Sequence, residues 1–172
     1  MRKILLIVFA SFLLNPVIKG QPRAYHRVSS KDMAEIVKAE DELRFDLMLK
    51  RLLHHHNPYT QKRAALAAGR IGDPDAITDL IKLIDTDTRK QTDEFKQVQR
   101  MAAFSLGEIE SIEGASAVLK ALNIDLSRYS PVRGEAIEAA GKIAAANSKH
   151  EKTKSLGNAI IRALEFEAGR RS

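Results

Sequence analysis

The sequence predicts an all-α fold, an α-solenoid of stacked antiparallel helix pairs. Apolar residues recur every three or four positions through most of the chain, which is the period of one helix face. No stretch shows the sustained two-residue alternation of a half-buried strand. One pattern occurs three times, at spacings of 38 and 34 residues, and internal repeats of this length are typical of helical hairpin arrays.

Residues 1–20 have the layout of a secretory signal peptide. A positive start precedes an apolar run over residues 4–14, which is too short to cross a bilayer comfortably. Gly20 offers a small residue for cleavage, but Ile18 stands where a small residue is preferred, so an uncleaved membrane anchor is the alternative. We therefore expect an exported protein, periplasmic or secreted.

Composition excludes some classes of function. The chain of 172 residues has no cysteine, which excludes disulfides, thiolate metal sites and a cysteine nucleophile. Its formal net charge is +6, and removal of Arg2, Lys3 and Lys19 with the leader would lower that charge to +3. A mature charge of this size does not indicate a nucleic-acid partner.

The rest of the chain divides into a linker at 21–31 and a helical domain at 32–172. The domain begins with one or two helices from about Lys31 to His54, which end because Asn57-Pro58 cannot continue a helix. Three repeats of two helices follow, over about 58–96, 97–130 and 131–168.

The first helix of each repeat is rich in small residues. The segments TQKRAALAAGRIG, VQRMAAFSLGEIE and VRGEAIEAAGKIA align without gaps. Small side chains allow neighbouring first helices to approach closely, so we expect a stack whose stability comes from contacts between repeats. The aligned columns are Gly69, Gly107 and Gly141; Ile71, Ile109 and Ile143; and Ala64, Ala102 and Ala136. In the second helices the apolar columns are Leu80, Val118 and Ile160, and Ile84, Leu122 and Leu164.

A corner joins the two helices of each repeat. Gly72 suits a left-handed residue after a helix, Asp73 can cap the next helix, and Pro74 fits its first turn. Ser111 takes the capping position in the second repeat, whereas the longer segment 144–155 predicts a looser turn in the third. Between the first two repeats, the polar segment 85–97 is expected to form a mobile surface loop.

These segments resemble HEAT repeats of the short, alanine-rich class named after phycobilisome lyases. Their consensus is Val-Arg-x-x-Ala-Ala-x-Ala-Leu-Gly-x-Ile-Gly-Asp, followed by Pro, Ala-Ile and Leu-Ile, and the likeness covers about 58–164. The whole chain is also similar to the N-terminal part of exported bacterial HEAT-repeat proteins. The resemblance implies a non-catalytic scaffold that binds another protein, without cofactor. The alternatives are a bilin-lyase-like or chaperone-like activity on a pigment protein, or the HEAT portion of a larger enzyme such as a cyclophilin-type prolyl isomerase.

Two clusters of polar residues could suggest sites of chemistry. Three consecutive histidines at 54–56 point in different directions on a helix, so we interpret them as a solvated helix end and not as a metal site. Glu40, Asp41 and Glu42 are interpreted as one exposed, solvated face, offset by Lys38 and Arg44. No nucleophile motif or phosphate-binding glycine loop accompanies them, so no enzymatic activity is expected.

A partner is expected on the second helices. Lys82, Lys120 and Arg162 share one column on the polar side, on the surface that is commonly concave in HEAT-like arrays. The column could bind an acidic segment of another protein; the alternative is that these are ordinary solvated helix positions. Polar residues that could hydrogen-bond beside the cations are Thr78, Ser116 and Asn158.

A second surface is predicted at the C-terminal edge. Ile81, Leu119 and Ile161 share a column through which inner repeats could meet their successors. Because Ile161 has no following repeat, self-association or docking at this edge is expected.

Overall fold

The helices follow directly from the apolar periodicity and the capping residues. The computed structural model describes residues 27–85, 92–123 and 131–169, so the leader and most of the linker lie outside the described residues. Within those ranges the α-helices are α1 (Ser30–Asp41), α2 (Leu47–Leu53), α3 (Pro58–Ile71), α4 (Ile77–Asp85), α5 (Asp93–Ile109), α6 (Ala115–Leu122), α7 (Pro131–Ala146) and α8 (Lys152–Gly169). The described residues contain no strand, and the fold is the predicted all-α solenoid of HEAT-like type.

Local capping fixes where several helices begin. The Ser29 hydroxyl accepts a hydrogen bond from the Asp32 N–H, and the Asp46 carboxylate accepts one from the Leu49 N–H. Asn57 caps α3, where Pro58 occupies the first turn without losing a backbone bond. These caps satisfy N–H groups that have no partner inside their own helix.

The corner between α3 and α4 has the predicted form. Gly72 has φ 75°, a left-handed conformation that costs glycine little. The Asp73 carboxylate accepts a hydrogen bond from the Asp75 N–H, and a 3-10 turn over Pro74–Ala76 leads into α4. At the second corner, Ser111 caps as predicted, although the left-handed position there is held by Glu110, at φ 56°.

The third corner is longer than the others, but it is not loose. The Asn147 side-chain amide donates to the carbonyl oxygen of Glu110 in the preceding repeat, at 2.8 Å. The Thr153 hydroxyl donates to the Asn147 carbonyl oxygen at 2.6 Å. The prediction of a looser turn was wrong, because one asparagine ties both the turn and the neighbouring corner.

The first helices stack through their small residues. A Cβ added to Gly69 would lie 2.8 Å from the Ser105 Cα, and one added to Gly107 would lie 2.7 Å from the Ala139 Cα. Ala64, Ala102 and Ala136 are fully buried, so the predicted small-residue column lies inside the helix contacts. The layer formed by α3, α5 and α7 therefore depends on the absence of larger side chains.

Two expectations about particular segments were wrong. Residues 93–97, predicted to belong to a surface loop, form the start of α5, where Asp93 pairs with Lys96 at 2.7 Å; the rest of that loop, at 86–91, lies outside the described residues. Leu164, aligned with buried positions of α4 and α6, is 52% exposed, because no described helix covers that side of α8.

Candidate functional site

The second helices α2, α4, α6 and α8 lie next to one another in the stack. The repeat register along this layer is set by two glutamines at equivalent positions of α3 and α5, of which Gln99 is buried and Gln61 is half-buried. The Gln61 side-chain amide donates to the Leu53 carbonyl oxygen at 3.1 Å, and that of Gln99 donates to the Ile84 carbonyl oxygen at 3.0 Å. Each bond caps the end of the preceding second helix, so Leu53 on α2 is equivalent to Ile84 on α4.

This register adds a cation that the sequence alignment missed. Counting back two residues from the capped carbonyls places Arg51 on α2 in the column of Lys82. The cation row therefore has four members, one on each second helix: Arg51, Lys82, Lys120 and Arg162. Arg51 lies before the first predicted repeat, in the helical unit at about 31–54 that the sequence pattern leaves outside the repeats, and for this reason it was not predicted as a member of the row.

The four cations of this row differ in their local partners. The Lys82 ammonium lies 3.0 Å from an Asp79 carboxylate oxygen, and the Lys120 ammonium lies 2.7 Å from one of Asp85, yet both lysine side chains remain 61% exposed. Among the described residues, no carboxylate lies within ion-pair distance of Arg51 or Arg162. Within the described part of the chain, the Arg51 guanidinium donates to the Met48 sulfur, at 2.9 Å.

The polar residues predicted beside the row are also exposed. Thr78, Ser116 and Asn158 each lie four residues before the cation of their helix, one turn away on the same face. The equivalent residue on α2 is Leu47, whose side chain is 86% exposed. The row thus offers hydrogen-bonding groups along three helices and an apolar contact at the α2 end.

The buried anchor of this layer is Asp79, which is 1% exposed. Its carboxylate accepts hydrogen bonds from His54 Nε2 and Lys82, both at 3.0 Å, and lies 3.5 Å from the Lys50 ammonium. Burial by itself would raise the pKa of Asp79, but the bonds from His54 and Lys82 and the charge of Lys50 outweigh it and hold that pKa below its ordinary value. This cluster joins α2 to α4.

The histidines at 54–56 and the acidic residues at 40–42 include side chains with structural roles. His54 lies at an exposed helix end, as expected, but its ring also bonds the buried Asp79, while the His55 and His56 rings lie against each other with centroids 4.1 Å apart. Glu40, by contrast, does not lie on an exposed face as expected, because Arg63 and Arg70 of α3 bind it. The hydrogen bond from Arg63 is the main reason that the pKa of Glu40 is lowered. Within the described part of the chain, no group of three or more His, Cys, Asp or Glu residues is placed to hold a metal ion.

The C-terminal edge carries a second candidate surface. Four residues of α8 are less buried than their equivalents on α4 and α6, and they recur at three and four positions, on one face of the helix. This edge face consists of Gly157, Ile160, Ile161 and Leu164. Beside it, a Cβ added to Gly141 of α7 would meet no atom within 4 Å, whereas its counterparts Gly69 and Gly107 are covered by the next first helix.

Comparison with known proteins supports the same architecture. A family model described as HEAT repeats matches residues 46–92, which include α2, α3 and α4 together with Arg51 and Lys82. No curated protein matches the chain. HEAT-like helical solenoids are typically non-catalytic and usually serve in protein–protein interaction. None of the described helices combines the length and apolarity needed to cross a membrane.

Proposed function

We propose that this protein is a non-catalytic scaffold that binds an acidic segment of another protein along its cation row. The observation that carries the proposal is the recurrence of one exposed cation at the same register position on four successive second helices. Exposed positions in a solenoid do not need the same charge for folding, since the stack is held by its buried faces.

The two ends of the row have the greatest capacity to bind an anion. Arg51 and Arg162 do not have to break an ion pair with a described carboxylate before they contact a ligand. Lys82 and Lys120 already hold acidic neighbours, so they contribute less additional attraction. Binding should therefore be salt-sensitive and should depend most on the two arginines.

The test is a capture experiment with two charge-matched variants. Arg51→Gln with Arg162→Gln removes two charges from the row without breaking an ion pair between described residues. Lys31→Gln with Lys149→Gln removes the same charge from exposed residues elsewhere that have no ion pair with a described residue. Both variants should fold as the parent does, as judged by circular dichroism.

Proteins captured by the parent chain from its native extract would be identified and then quantified for each variant at several salt concentrations. We expect the row variant to lose most of the captured partner and the control variant to retain it. Equal capture by the two variants, with the same salt dependence, would place the binding surface elsewhere on the protein.

We further propose that the scaffold acts in an exported compartment, periplasmic or secreted, after removal of residues 1–20. The positive start and the apolar run over 4–14 support this proposal. N-terminal sequencing of the protein from its native host should find a start near residue 21. An intact Met1 on protein in the cytoplasmic fraction would contradict export, and an intact Met1 in the membrane fraction would favour the anchor.

A second proposal concerns self-association through the edge face. Ile161 is 56% exposed, whereas the equivalent Ile81 and Leu119 are half-buried, and a second copy would bring the same apolar face to cover it. Light scattering should show dimers at high concentration that Ile161→Glu abolishes. Ser155→Glu, which adds the same charge at an exposed position on the other side of the same helix, is the control. A parent chain that stays monomeric at high concentration would refute the proposal.

A further inference from the structure

The cation row also constrains the conformation of the acidic segment, a step that rests on the function proposed above. Consecutive second helices are in contact, and packed helices lie about 8–10 Å apart. The row runs across these helices with one cation on each of them. Successive cations therefore recur at about one helix spacing.

That spacing favours an extended peptide over a helical one, because the extended peptide spans the row with fewer residues. Three residues of polyproline II span about 9.3 Å, and three residues of a strand span about 10 Å. An α-helix advances about 1.5 Å per residue, so it would need about six residues for each spacing and about twenty for the whole row. Polyproline II also has three residues per turn, so every third side chain lies on the same face.

We infer that the row binds an extended segment of about ten residues with an acidic side chain at every third position. Arg51, Lys82, Lys120 and Arg162 each meet one carboxylate in turn. Thr78, Ser116 and Asn158, one helical turn from their cations, are placed to hydrogen-bond the peptide backbone, which in polyproline II has no internal bonds.

An acidic protein segment fits the row better than a nucleic acid does. Single-stranded nucleic acids are held by aromatic side chains on which bases stack, and neither the cations nor their polar neighbours include an aromatic residue. The Asp85 carboxylate lies beside Lys120 of the row, and its negative charge weakens the attraction of the row for a continuous polyanion. A ligand with separated charges can place its acids opposite the cations and avoid Asp85.

The experiment compares labelled peptides of equal composition. Three acidic peptides each contain four Asp residues among Pro, Ser and Ala, placed at every second, third or fourth position. A control peptide has the period-three sequence with Asn in place of Asp. Affinity for the full chain is measured by fluorescence anisotropy at low salt. We expect the period-three peptide to bind about tenfold more tightly than the other acidic peptides, because only it engages all four cations.

The variants separate this inference from the proposed function. The Arg51→Gln, Arg162→Gln chain should lose the preference for period three, whereas the Lys31→Gln, Lys149→Gln chain should keep it. Equal binding of all three acidic peptides, still dependent on the row, would overturn the spacing and leave the acidic-segment proposal intact. No binding above the Asn peptide would overturn the inference alone, because partner capture by the row variant tests the proposed function independently. Tighter binding of an oligonucleotide of equal charge would overturn both.

Discussion

Gly107→Ala is the most direct test of how the repeats stack, because the same column contains its own control. The new Cβ would lie 2.7 Å from the Ala139 Cα and 3.0 Å from its Cβ, so the backbone of α7 must move. At Gly141 the same substitution meets no atom within 4 Å. Both glycines lie inside helices, so both changes carry the same gain in helix propensity.

The magnitudes follow from two opposing terms. Replacing glycine by alanine inside a helix stabilises by about 0.5–1 kcal/mol. Overpacking a close helix contact costs about 1–3 kcal/mol. We therefore expect Gly141→Ala to raise the free energy of unfolding by up to about 1 kcal/mol. Gly107→Ala should lie about 1–3 kcal/mol below it, a net loss of up to about 2 kcal/mol relative to the parent.

Urea unfolding followed by circular dichroism would measure both variants, at low protein concentration so that the proposed self-association does not contribute. Unchanged slopes with different midpoints would show that stability has changed, and not the extent of unfolding. Gly69→Ala should behave like Gly107→Ala, since its Cβ would meet the backbone of α5. If Gly107→Ala proved as stable as Gly141→Ala, the first helices would not pack through this column.

Three further predictions concern the core and its polar anchors. Leucine at Ala102 or Ala136, both fully buried, should destabilise by about 1–3 kcal/mol in the same urea assay; unchanged midpoints for both would contradict the packing. Gln61→Leu should cost about 1–3 kcal/mol, because the Leu53 carbonyl loses its cap; a neutral effect would mean that water replaces the amide. The folded pKa of Asp79 lies below its ordinary value of 3.8, so the stability from its ion pairs is present above that pH and is lost as pH falls through the folded pKa. Asp79→Asn should therefore be less stable than the parent at pH 7 and should lose less on acidification, and parallel pH profiles would refute this assignment.

Local interactions made much of the fold predictable. Helix periodicity, the glycine column and the corner residues Gly72, Asp73 and Ser111 act within a few residues of one another, so their consequences can be read from the order of residue types. The same holds for the three cations Lys82, Lys120 and Arg162, whose register follows from the aligned second helices.

The remaining features depended on which helices meet. Glu40 faces inward because α3 brings Arg63 beside it, and His54 is held because α4 buries Asp79 next to α2. Leu164 resembles a core residue in sequence, yet it is exposed because burial depends on a neighbouring helix and not on the residue itself. Arg51 is assigned to the cation row because the two glutamine caps show which residues of α2 and α4 are equivalent. The repeating unit and its charges can be derived from the order of the residues alone. Which side chains are covered, paired or exposed to a partner depends on contacts between distant segments, and these contacts exist only in the folded chain.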